Sequence, residues 1–322
     1  MIRDHEPAGV ETSLENYQER MALEESGLTG PLVTVAMSAH NAAATVGLAV
    51  RSILAQTYQN WELVVADDGS TDQTQDVLSS LHDSRIRFIQ DQQGNRGLSY
   101  RLNQCVGLAR GHYIARMDAD DVAYPQRLER QVRFLEEHPE IDLLGTGVLI
   151  FKAEGEIAGC YPTAISHEEI CRRPWWGFPL AHATWLGKRI WFMSHPYSEE
   201  DVRCEDQALL LQSFGHSRFA ALEEILYGYR VNEIAAGKSG RGRLNYCRRL
   251  LARVNDFSSL SWALMGCGVH GAAMARDVMF QLGHTVGRKS RQSWESANQT
   301  EREQWQAVWG GLVHEGQPLT QM

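Results

Sequence analysis

The sequence predicts an α/β fold: an open, mostly parallel sheet flanked by helices, followed by a C-terminal helical segment. Three observations lead there. Short apolar runs alternate with stretches of helical spacing between Leu32 and Leu135, the strand–helix order that a parallel sheet requires. Polar clusters follow three of the apolar runs, where open α/β sheets bind their ligands. The 322 residues, 43% of them hydrophobic, suffice for one sizeable domain with a proper core plus an accessory segment, which sets aside a disordered chain.

The elements follow in order. Residues 1–30 are polar and acidic and are expected to form a loosely held arm, with a short helix over Leu14–Leu23. Leu32–Met37 suits a buried strand, and Val46, Val50, Ile53 and Leu54 then recur at helical spacing. Trp61–Ala66 is the second strand. Ser70 and Gln73 form a candidate capping box for a helix that buries Val77, Leu78 and Leu81. Ile86 and Phe88 mark the third strand, Leu98, Leu102, Cys105, Val106 and Ala109 the next helix, and Tyr113–Met117 the fourth strand. Pro125 fits a helix first turn, with Leu128, Val132 and Leu135 along one face after it. Ile141–Phe151 reads as strand. Residues 158–198, rich in Trp, Pro, His and Gly, suit a substrate-facing loop region, and Asp206–Phe214 suits a helix. Residues 238–253 hold six cations and no acid, 256–282 are apolar and helical, and the stretch from Ser290 is a polar tail open to disorder. The expected divisions are an arm (1–30), the main domain (31–236), a basic and apolar helical segment (237–289) and the tail (290–322).

Charge and composition exclude several classes. A net charge of −9 leaves no fold-wide basic footprint for nucleic acid. The start of the chain has no apolar signal region, and no run of about 18 apolar residues suits a membrane span, so a cytoplasmic chain is expected. Six scattered cysteines without a CxxC pair fit reduced thiols.

The chemistry gathers in three clusters: Ser38-Ala39-His40-Asn41, Asp67-Asp68-Gly69-Ser70 and Asp118-Ala119-Asp120-Asp121. Any one could simply cap a helix. All three on one sheet edge point to a ligand site. Carboxylates crowded at one strand end, as Asp118 and Asp120 are, repel each other unless a cation neutralises them. Hard oxygen ligands suit Mg²⁺ or Mn²⁺, which also take phosphate oxygens and can steady a departing diphosphate.

These same stretches closely resemble family 2 glycosyltransferases: PLVTVAMSAHN, QTYQNWELVVADDGSTDQT, RIRFIQDQQGNRGLSYRLNQCVGLARGHYIARMDADD and PQRLERQVRFLEEHPEI, then more weakly HATWLGKRI and CEDQALLLQSFGHSRFAALEEILYGYRVN. The resemblance implies a GT-A fold, the Rossmann-like fold of nucleotide-diphosphosugar transferases. It implies that Asp67 contacts the donor base, that Asp68 helps hold the nucleoside, and that Ser38, His40 and Asn41 flank the base. It implies that Asp118 and Asp120 form the metal and ribose site and that Asp206, beside Glu205, is the general base of an inverting transfer. His40 stands where the family usually has an aromatic. The QxxRW motif of processive members is missing after Asp206, where QALLLQSFGHSRF stands, so addition of one sugar is expected. Similar sequences suggest bacterial O-antigen or exopolysaccharide assembly on a glycan or lipid-linked acceptor at the inner membrane face.

Other signals have two readings each. His182 could line the acceptor or diphosphate pocket or be a loop histidine bonded to backbone. Trp175, Trp176 and Trp185 could stack on sugars or simply pack. Gly266-x-Gly268-x-x-Gly271 matches a dinucleotide fingerprint but lacks a preceding strand, so close helix packing is the expected use. The 238–282 segment could touch a membrane surface or pack as an ordinary helix pair. Two rival functions are a sugar nucleotidyltransferase, for which the Gly-rich N-terminal loop with Arg or Lys is missing, and a non-catalytic sugar-nucleotide or glycan binder, against which the acid at 206 argues.

Overall fold

A computed structural model describes residues 30–90, 94–231, 236–255, 257–284 and 294–314. The expected arm and its Leu14–Leu23 helix lie outside these residues.

The first half of the domain alternates as the apolar pattern requires: β1 (Val33–Ala39), α1 (Val46–Leu54), β2 (Trp61–Asp67), α2 (Thr74–Ser79), β3 (Ile86–Ile89), α3 (Leu98–Leu108) and β4 (Tyr113–Asp118). Strands β3, β2, β1 and β4 lie side by side and parallel. Side chains alternate across a strand, so β1 feeds two cores. Val33, Val35 and Met37 pack with α1 and with α4 (Arg127–Glu137); Ala36 packs on the other face with α3.

The second half is mixed rather than parallel. It comprises β5 (Val122–Ala123), β6 (Leu143–Phe151), β7 (Ile157–Tyr161), α5 (His167–Ile170), β8 (Leu186–Lys188), α6 (Arg189–Ser194), α7 (Glu205–Ser213) and β9 (Phe219–Arg230). The connection from β6 to β7 is too short for a crossover, so they pair antiparallel, as β8 does with β4 and β6. Only β6 and β9 are parallel here.

Helices α8 (Ala236–Ala252) and α9 (Phe257–His284) form a pair that joins the second core through Tyr246, Leu250 and Ala263. Gly266 sits within α9, not after a strand, and a Cβ there would lie 2.5 Å from Leu250 Cδ1. The glycine permits close packing, and the dinucleotide reading fails. No helix among the described residues is long and apolar enough to cross a membrane.

The last element departs from expectation. Part of the supposed polar tail is α10 (Gln299–His314). Trp305 is 1% exposed among Tyr124, Leu149 and Phe151, and its indole donates to the Gly155 carbonyl at 2.7 Å. Burying one large aromatic outweighs the polar surroundings of the helix. A second departure is the Ser70–Gln73 box: Ser70 Oγ is occupied by Asp67 and by the Asn41 N–H, and α2 starts later, at Thr74. A capping box does form at Ser166 and Glu169.

Candidate active site

The parallel strands end together. Register places Ser38 beside Asp118 and Ala39 beside Asp67, so the three predicted clusters share one edge.

On the β1–β2 side, the loops are tied to each other. Asp67 is 2% exposed; its carboxylate accepts from Ser70 N, Ser70 Oγ and Gln75 Nε2. Asn41, held at φ +49°, accepts from Thr71 N at 2.9 Å. His40 Nδ1 lies 2.9 Å from the Asp68 carbonyl, and both His40 and Asn41 are exposed at the rim. Gly69 at φ +69° presses on the next loop: a Cβ would lie 2.7 Å from the Gly94 carbonyl carbon, so a side chain is excluded there. Asp68 points inward. Its carboxylate takes the N–H groups of Arg96 and Gly97 and pairs with the buried Arg101 at 3.0 Å. It therefore orders the 94–97 loop and has no share in the acidic cluster.

At the end of β4, carboxylate oxygens of Asp118, Asp120 and Asp121 all lie within 4.8 Å of one another. Burial and the charge of Asp118 push Asp120 up to about 6, and burial with both neighbours pushes Asp121 well above the usual carboxylate range. Asp121 Oδ1 accepts from the Arg230 N–H at 2.7 Å, while the buried Oδ2 finds no hydrogen-bond partner of normal geometry. Arg230 Nε also holds the Asp120 carbonyl at 2.7 Å. Crowded, half-desolvated acidic oxygens with one unmet acceptor are a set that a hard divalent cation fits.

The sequence did not single out Arg116. It lies on β4, 4% exposed, and its guanidinium is ion-paired to Asp118. Its charge also bears on Glu205 and Asp206 at the start of α7, pulling both carboxyls down, and on His182, whose imidazole it helps keep neutral. One buried cation thus acts on both the acidic cluster, by an ion pair, and the Glu205-Asp206 pair, through its charge. The signal was present: a charged residue inside the apolar run Tyr113–Met117. Asp121, the third acid of the same sequence cluster, lies with the two expected metal ligands.

Asp206 has its carboxyl raised by burial, while Gln207, donating to Oδ2 at 3.1 Å, and Arg116 hold that rise back. Glu205 is pushed up to about 7 by burial and by Asp206. His182 lies 2.8 Å from the Tyr197 hydroxyl through Nε2, and burial sets its pKa well below the ordinary value. Trp185 corrects the sequence reading. It is 0% exposed in the core, donates to the Leu180 carbonyl, and meets His182 edge-on at 4.6 Å. With no open face it cannot stack on a sugar; it backs the histidine instead. Trp176, 61% exposed, does have a free face.

The Glu205 shift gives a stability prediction. Its folded pKa exceeds the ordinary 4.5, so the folded state holds the proton more tightly and stability is lost as pH rises from about 4.5 through 7. Glu205→Gln should therefore be more stable than the parent at pH 8 by about 1–3 kcal/mol. Below pH 4.5 the difference should vanish. Thermal melts in EDTA at both pH values check this, and a pH-independent difference contradicts it.

Known proteins resemble this chain in sequence and in fold. The family model described as glycosyl transferase family 2 matches residues 34–194. EpsE of Bacillus subtilis, named as a glycosyltransferase, is 32% identical over 263 residues, 77% of this chain and 93% of its own length. WfaP of Escherichia coli, named as a UDP-Glc:α-D-GlcNAc-diphosphoundecaprenol β-1,3-glucosyltransferase, is 36% identical over 105 residues, 33% of this chain and 41% of its own. The solved mannosyltransferase PcManGT of Pyrobaculum calidifontis, in complex with GDP-Man and Mn²⁺, shares the fold at TM-score 0.54 and 16% identity, over 93% of this chain and 92% of that one.

Proposed function

Because the chain belongs to glycosyl transferase family 2, we propose that it moves a single sugar, with inversion, from a nucleotide-diphosphate sugar to a hydroxyl of a lipid-linked glycan, in bacterial surface polysaccharide synthesis. The enzyme is a glycosyltransferase of GT-A fold. The observation that best supports the finer reading is that the buried Arg116, ion-paired to Asp118, also acts through its charge on the buried Asp206. That couples an acid of raised basicity to a metal-type cluster through one cation.

In this reading, Ser38, His40, Asn41 and Asp67 flank the base, and Asp68 fixes the 94–97 loop beneath the nucleoside. Asp118 and Asp120, backed by Asp121, would hold Mg²⁺ or Mn²⁺, which when bound would offset the charge on the departing diphosphate. Asp206 accepts the proton of the acceptor hydroxyl. The hydroxyl oxygen forms the new bond at the anomeric carbon from the face opposite the leaving diphosphate, which departs with the electron pair of the broken C–O bond. The neutral His182, held by Tyr197, orients the acceptor without competing for that proton. One sugar per encounter fits the missing QxxRW motif.

The outer surface of α8 and α9 supports work at the inner membrane face. Leu251, Trp262, Leu264 and Met265 are 41–62% exposed, and Arg241 and Arg248 stand exposed on α8. Apolar side chains with flanking cations suit an anionic lipid surface. Vesicles containing anionic lipid should float the protein, and Leu251→Asp with Leu264→Asp should abolish that at low salt. Equal flotation of the variant would remove the membrane from the proposal.

The activity test is release of nucleoside diphosphate from UDP-, GDP- and dTDP-sugars, with and without Mn²⁺ and a bacterial lipid extract. Metal- and extract-dependent release from one donor class is expected. No release from any donor would sink the reading.

A further inference from the structure

Between the loop before Pro179, the start of α7 and the α8–α9 pair lies a cleft of about 630 Å³. Four arginines line it, from three parts of the chain: Arg172 and Arg173 from the loop, Arg203 from the turn before α7, and Arg243 from α8. Arg243 meets Asp277 at 3.5 Å. No ion pair joins the side chains of Arg172, Arg173 or Arg203 to a carboxylate among the described residues. Glu169 is the acid of the lining; its Oε2 accepts from the N–H groups of Ile165 and Ser166, and the charge of Arg172 also bears on it, so two acids, Glu169 and Asp277, stand against the four arginines. The cleft is therefore a concentration of positive charge in a chain whose net charge is −9.

The convergence is built into the packing. Gly242 brings α8 against the Arg203 backbone, where a Cβ would overlap the Arg203 carbonyl oxygen. Tyr246 of α8 donates its hydroxyl to the Pro174 carbonyl, fixing the loop that holds Arg172 and Arg173. Holding like charges together costs stability unless an anion repays it. Guanidinium groups are the side chains best shaped to take phosphate oxygens in pairs.

The cleft also adjoins the proposed base. Gln207 lines it, accepts from the Phe178 N–H at 2.7 Å and donates to Asp206 Oδ2. A molecule with its anionic group among the arginines would have its next portion beside Asp206. We infer that the arginine-lined cleft binds the phosphate or diphosphate group of the acceptor, placing the adjoining sugar hydroxyl at Asp206. This rests on the glycosyltransferase reading for what the anion belongs to, but not for the existence of the anion site. A volume of about 630 Å³ is far more than one phosphate needs and leaves space for the attached groups. The exposed indole of Trp176 on its wall offers them an apolar surface.

The test is binding to the full chain in EDTA, without donor, using farnesyl diphosphate, farnesol and inorganic pyrophosphate as probes. Farnesyl diphosphate should bind at least ten times more tightly than farnesol, with affinity falling as salt rises. Arg173→Ala with Arg203→Ala should weaken farnesyl diphosphate at least tenfold while leaving Mn²⁺-dependent UDP binding unchanged, which also shows that the variant is folded. Arg172→Ala should give a smaller loss in the same direction. Unchanged affinity in the double variant would overturn the site. Inorganic pyrophosphate binding as tightly as farnesyl diphosphate would overturn its assignment to a lipid-linked acceptor. Failure of the glycosyltransferase reading shows separately, as absence of donor turnover in the parent protein.

Discussion

Asp206→Asn should lower the turnover of sugar transfer by about 10²–10⁴-fold and leave donor binding nearly intact. The substitution keeps the shape of the side chain and can still accept from Gln207, which holds Oδ2 at 3.1 Å, but it cannot take a proton from a hydroxyl. Donor affinity should survive because the acidic cluster and the β1–β2 rim are untouched. The pH profile separates this role from a structural one. Burial raises the Asp206 carboxyl, so the parent enzyme should lose activity as pH falls through that raised value and the base becomes protonated. In Asp206→Asn the residual rate should lack that limb. Activity within tenfold of the parent, or an unchanged acid limb, would move the base elsewhere.

Asp120→Asn should have opposite effects with and without metal. In the presence of Mn²⁺ the variant should bind UDP at least ~10-fold more weakly, since one of the crowded carboxylates that the ion would draw together is gone. In EDTA it should be more stable than the parent near pH 8. The Asp120 pKa of about 6 lies above the ordinary 3.8, so in the metal-free parent stability falls as pH rises from about 4 through 6, and the amide escapes that loss. Thermal melts with and without Mn²⁺ and UDP read both effects: a higher apo midpoint and a smaller ligand-induced rise. A variant with the same ligand-induced rise as the parent would count against the metal role of the cluster.

What the sequence disclosed follows from how much burial each element has. Strands β1, β2 and β4 and helices α1, α3 and α4 each bury apolar residues at strand or helix spacing, so they were visible without a structure. The three polar clusters were also visible, because each follows a buried strand in the linear sequence. Helix α10 was hidden. Its packing depends on Trp305 and Leu312 with help from Val308 and Trp309, set among glutamates and glutamines that read as a tail.

Within the site, residue type predicted location better than role. Asp68 and Asp67 are adjacent at one strand end, yet their carboxylates face different partners, Arg101 for one and Ser70 with Gln75 for the other. Of the two readings of Trp185, packing holds: it is core, and sequence alone does not reveal which way a residue in the turn before β8 faces. Arg116 was overlooked for the converse reason. A buried arginine looks like an anomaly in a strand until the acids around it are placed, and those lie on α7 and at the end of its own strand. The arginine cleft was out of reach of linear inspection, because its four cations are brought together only when α8 folds back on the loop before Pro179.

The most direct test is a crystal of the full chain grown with Mn²⁺ and UDP, with data collected at the manganese absorption edge. A single anomalous peak bonded to oxygens of the Asp118–Asp121 cluster and to the diphosphate, with Asp206 across the open side, is the predicted result. Manganese and diphosphate seated away from those aspartates would contradict it.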